Sequence, residues 1–75
     1  MIEPDDLRQR IVTALPDAVV RLSDLTGSQD HYSVQVSSGA FAGLSPLQQH
    51  RLVYDALGDV MQGPLHAIQL RTSVP

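Results

Sequence analysis

The chain has 75 residues, is 43% hydrophobic, carries a formal charge of −3 with five arginines and no lysine, and contains no cysteine. A chain this short is a single domain and buries only about 60% of its unfolded surface. It has no disulfide and no thiolate ligand of its own. Its acidity disfavours bulk nucleic acid, whose binding depends on phosphate neutralisation.

No stretch approaches the roughly 18 apolar residues of a membrane span. The start, from Met1 to Asp6, is acidic and lacks the basic head and apolar run of a secretory signal. A soluble, cytoplasmic protein is the expectation, with a domain core over residues 4–72.

The first helix is predicted over residues 4–15. Leu7, Ile11, Ala14 and Leu15 recur at helical spacing, and Glu3, Asp5 and Asp6 sit where the helix dipole favours negative charge. Pro16 and Asp17 end it. A strand follows over residues 18–25, with Val20, Leu22 and Leu25 toward the core. Residues 26–30 are a loop by composition.

Residues 31–37 form a second strand. Tyr32, Val34 and Val36 alternate with His31, Ser33, Gln35 and Ser37, so one face is buried and one is wet. The short connection makes these two strands an antiparallel hairpin. Ser38, Gly39 and Ala40 break the pattern, and Phe41 enters the core from a short turn.

The clearest signal follows. Ser45 is a helix N-cap, Pro46 fits the first helical position, and Gln48 completes a capping box. Gly63 and Pro64 are stop signals, so the helix is predicted over residues 46–62. Its buried stripe is read as Leu47, Val53, Tyr54, Leu57, Val60 and Met61, with Leu52 off the stripe and available to a partner. His50 lies at the stripe's edge, with a structural reading in which it bonds the loop around Phe41.

Residues 65–72 form the third strand, with His66, Ile68, Leu70 and Thr72 on one phase and Ala67, Gln69 and Arg71 on the other. The order is α-β-β-α-β. The second strand, second helix and third strand make a βαβ unit, whose right-handed crossover leaves the two strands parallel. The fold class is α+β, a three-stranded mixed sheet covered on one face by two helices.

Parallel neighbours start at the same end of a sheet, so His31 and His66 are expected at one edge, although their phases differ. No P-loop, dinucleotide fingerprint or nucleophile elbow is present, and a non-enzymatic protein is expected. Each histidine also has a bland reading, as a solvated or packed ring. Two imidazoles at one edge can bind a borderline metal weakly and leave coordination open for a partner's ligands.

Phe41 and Gly43, then His50, Arg51, Val53 and Tyr54, then His66 and Ala67 together resemble the BolA-like family. Asp30, His31 and Tyr32 resemble it too, and the likeness covers about residues 5–72. It implies a fold similar to a type II KH domain and a non-enzymatic partner of monothiol glutaredoxins. It further implies a [2Fe-2S] cluster shared with the glutaredoxin and its glutathione, and none on the isolated chain. His66 carries over as a ligand. The second ligand falls to His31, the nitrogen donor nearest the hairpin loop.

Arg51, Leu52 and His50 become the expected partner surface. Histidine in place of thiolate raises a cluster's potential, and histidine ligation weakens as pH falls through about 6.5. The alternative is a nucleic-acid-binding transcriptional regulator. Against it, Gly39 and Gly43 do not form the G-x-x-G loop of KH domains, and Arg21, Arg51 and Arg71 make a sparse groove. Whether the free chain is a homodimer stays open.

Overall fold

A computed structural model describes residues 2–27, 31–58, 60 and 67–75. The elements are α1 (Pro4–Ala14), β1 (Val19–Asp24), β2 (His31–Ser37), a 3-10 turn (Gly39–Phe41), α2 (Pro46–Leu57) and β3 (Ala67–Ser73). The sheet order is β1-β2-β3, with β1 antiparallel and β3 parallel to the central β2. The α+β order and the mixed sheet are those expected. Among the described residues no helix is long and apolar enough to cross a membrane.

α1 starts at Pro4, where the missing N–H costs nothing, with Asp5 and Asp6 in its first turn. Arg8 pairs with Asp5 and Arg10 with Asp6, one helical turn apart. Leu7, Ile11 and Leu15 enter the core, whereas Ala14 is exposed. Ile2 is also buried. The Tyr32 hydroxyl donates to the Ile2 carbonyl at 2.6 Å, so the buried phenol on β2 pins the chain ahead of α1.

In β2, Tyr32, Val34 and Val36 are buried, and Val20, Leu22, Ile68 and Leu70 pack beside them from the flanking strands. Leu25, expected inside, lies beyond the end of β1 and is exposed. There the Asp24 carboxylate accepts from the N–H groups of Thr26 and Gly27. This is an Asx-type turn, and Gly27 has a positive φ.

The break after β2 is a clasp. Ser38 is fully buried. Its hydroxyl donates to Asp17 at 2.7 Å and accepts from the Ala40 N–H. Gly39 N–H donates to the second Asp17 oxygen at 2.8 Å. These two donors hold the Asp17 carboxyl below its ordinary pKa. A Cβ on Gly39 would come within 3.2 Å of that carboxylate.

α2 begins with the expected capping box. The Ser45 hydroxyl accepts from Gln48 N–H, and the Gln48 side-chain oxygen Oε1 accepts from Ser45 N–H. The α-helix ends at Leu57 rather than Gln62, because Gly58 adopts φ 60° and turns the chain. The stop expected at Gly63 and Pro64 lies outside the described residues, as do Met61, Leu65 and His66.

The buried face of α2 is also rotated from the expected one. Val53, Leu57 and Val60 are buried and Leu52 packs partly against the core, while Leu47 and Tyr54 are exposed. Helical spacing of about 100° per residue explains this. Within α2, Val53 and Leu57 cluster on one side with Gln49, Leu52 and Ala56, and Leu47, Arg51 and Tyr54 fall opposite; Val60 is buried beyond the turn at Gly58. Gln49 makes the inward position workable for an amide. It donates to the Leu44 carbonyl at 3.0 Å and accepts from the Thr72 hydroxyl at 2.7 Å.

Candidate functional site

His31 is the first residue of β2 and is half-buried. Its carbonyl accepts from Leu25 N–H at 2.8 Å, which closes the neck of the β1–β2 hairpin. Across the parallel pair its Cα partner is Ala67, the first residue of β3. β2 and β3 therefore start at the same sheet end. His66 precedes Ala67 in the chain and itself lies outside the described residues. By strand alternation His31 shares a phase with Ser33 and Gln35, the phase away from Tyr32 and the helices.

Among the described residues there is no group of three or more His, Cys, Asp or Glu able to hold a metal ion. Among the described residues the donor set falls short of a self-contained site. A borderline metal needs about four ligands, and a cysteine-free chain contributes imidazole or carboxylate only.

His50 is half-buried on α2. The tie to the loop around Phe41 that was expected of it belongs to its neighbour. The Gln49 amide donates to the carbonyls of Phe41 and Leu44. Arg51 is exposed, and Leu52 is half-buried against the core. Leu52 thus offers less surface than its expected place off the stripe implied.

Leu47, 65% exposed, and Tyr54, 39% exposed, flank Arg51 at i−4 and i+3 and complete an outward row. The sequence held that signal: the three positions lie within one narrow arc opposite Val53. Exposed Tyr and Arg beside an aliphatic side chain are the residue types that anchor protein interfaces.

The fold and this sheet end define a small α+β domain with no three-ligand metal group among the described residues. A model of the BolA-like protein family matches residues 8–75, and the chain belongs to that family. Mouse BolA-like protein 1 is 37% identical over 76 residues, which cover 92% of this chain and 56% of the mouse protein. The DNA-binding transcriptional regulator BolA of Vibrio cholerae is 44% identical over 46 residues, 61% of this chain and 43% of that protein. The chain thus spans about half the length of these two relatives. The solved structure of a bolA homologue from Coxiella burnetii superposes with a TM-score of 0.83 at 36% identity, over all of this chain and 94% of the other.

Proposed function

We propose that this protein is a non-enzymatic cytoplasmic adaptor that pairs with a monothiol glutaredoxin and lends histidine to a [2Fe-2S] cluster shared with it and its glutathione. Its role is in iron–sulfur trafficking or iron and redox regulation. His66 is the principal ligand and His31 the second. The observation that carries this reading is the register His31 to Ala67 on adjacent parallel strands, which brings the residue after His66 opposite His31.

The chain's own residues have distinct tasks in this reading. β2 opens with His31 and β3 with Ala67, the residue after His66, at one sheet end. The His31 carbonyl, fixed by Leu25 N–H, sets where the hairpin closes. Leu47, Arg51 and Tyr54, with His50 and the accessible edge of Leu52, form the docking face. The cluster, when held, supplies one-electron chemistry, and neutral imidazole in place of thiolate raises its potential.

The test is a titration of the purified chain into a glutaredoxin carrying its cluster, read by visible absorption. The spectrum is expected to change with the native chain, to stay unchanged with His66→Ala, and to change partly with His31→Ala. A full change with His66→Ala overturns ligation by His66.

The name of the Vibrio relative supports a second reading, a DNA-binding regulator. Against it, Arg8 and Arg10 are already paired with Asp5 and Asp6. That leaves three arginines for phosphates on a chain of net charge −3. A salt-dependent mobility shift of duplex DNA by the cluster-free chain would establish this second reading.

A further inference from the structure

The face of the sheet away from the helices carries a row that no local sequence pattern reveals. Arg21 pairs with Gln35 across the antiparallel hairpin, and Gln35 pairs with Arg71 across the parallel pair. All three are exposed. Two strand spacings put the arginine Cα atoms about 10 Å apart, with the Gln35 amide between them.

Neither arginine forms an ion pair among the described residues. No Asp or Glu shares their phase in the three strands. The adjoining rows are Ser23, Ser33 and Gln69 on one side and Val19, Ser37 and Ser73 on the other. Apart from the exposed apolar Val19, they offer hydroxyl and amide groups without charge. Shallow depressions, both lined by Arg21 and Gln35, flank the row. Among the described strand residues, a chain of net charge −3 thus presents one face whose formal charges are both positive.

From this charge pattern we infer that the open sheet face docks an acidic, extended segment of a partner protein, with carboxylates two residues apart gripped by Arg21 and Arg71. In an extended segment such carboxylates project from one side about 7 Å apart. Arginine side chains are long enough to reach that spacing from either flank. Each guanidinium can take a carboxylate in a two-pronged hydrogen bond. Gln35, with a donor and an acceptor, meets the segment's main chain between them.

A single-stranded nucleic acid fits this face less well. Its hold depends on aromatic stacking, and Tyr32 and Phe41 are buried while Tyr54 is on α2. The inference stands apart from the cluster reading, since it uses neither His31 nor His66.

The experiment is an NMR titration of the nitrogen-15-labelled chain with three probes. These are a short peptide bearing Glu-Ser-Glu between glycines, the same peptide with Gln for Glu, and an oligothymidylate of similar length. The Glu peptide is expected to move the amide signals of Arg21, Gln35 and Arg71, with the effect lost at about 0.5 M salt. Arg21→Gln and Arg71→Gln each weaken binding about fivefold, as for an exposed ion pair, and Arg8→Gln leaves it unchanged. Equal shifts from the Gln peptide, or unaltered affinity in both arginine variants, overturn the proposal. So does oligothymidylate that moves the same amides at lower concentration than the Glu peptide.

Discussion

The two faces of the sheet are built from the same three strands and have almost nothing chemically in common. The helix-covered face is Tyr32, Val34 and Val36 flanked by Val20, Leu22, Ile68 and Leu70. The open face is Arg21, Gln35 and Arg71 set between rows of mostly Ser and Gln. Strand alternation separates the two sets residue by residue. The covered face carries the stability of a chain that has little core to spare. The open face is therefore free to vary in charge and hydrogen-bonding groups without cost to the fold.

Substitutions sharpen that contrast. Leu57 on α2 is fully buried against the covered face. Leu57→Ala is expected to cost about 2–5 kcal/mol, measured by urea unfolding. Ser45→Ala removes half of the capping box and is expected to cost about 1 kcal/mol by the same measurement. Tyr32→Phe leaves the Ile2 carbonyl without its donor and is expected to cost about 0.5–1.5 kcal/mol, with amide exchange fastest in the first turn of α1.

Asp17→Asn is a smaller effect with a pH signature. Hydrogen bonds from Ser38 and Gly39 lower the Asp17 pKa below its ordinary value of 3.8. The charge's contribution is therefore fully present above that value and lost as pH falls through the lower, folded-state value. The difference in Tm between native and variant chains should be constant near neutrality and shrink below about pH 4. At the small end, Arg71→Gln on the open face should leave stability within about 0.5 kcal/mol. A loss from Arg71→Gln as large as that from Leu57→Ala would break the two-face comparison.

Much of this architecture was readable in the sequence, and the parts that were not share a cause. The capping box at Ser45 and the alternation of β2 are local patterns, and both appear in the structure. The parallel pairing followed from the βαβ order. Gly58 ends α2 from within an apolar helical pattern, whereas Gly63 and Pro64 are the compositional stop signals. Leu47 and Tyr54, expected inside, are exposed, and the polar Gln49 takes an inward position. Gln49 faces inward because the Phe41 and Leu44 carbonyls of the preceding loop and the Thr72 hydroxyl of β3 satisfy its amide.

The Asp17–Ser38 clasp and the Tyr32–Ile2 bond likewise join segments far apart in the chain, beyond the reach of periodicity. Of the candidate site, His31 was legible as a strand start. The arginine row needed the three-strand register. The assignment of His66 rests on the family resemblance and on the register of its neighbour Ala67.

The central claim is that an imidazole of this chain binds the shared cluster. The direct measurement is pulsed electron paramagnetic resonance of the reduced cluster, in the complex with glutaredoxin, with nitrogen-15 histidine in this chain alone. Strongly coupled nitrogen-15 signals that disappear with His66→Ala are the predicted result. A reduced cluster with no such coupling, or with coupling that persists in His66→Ala, would contradict the assignment.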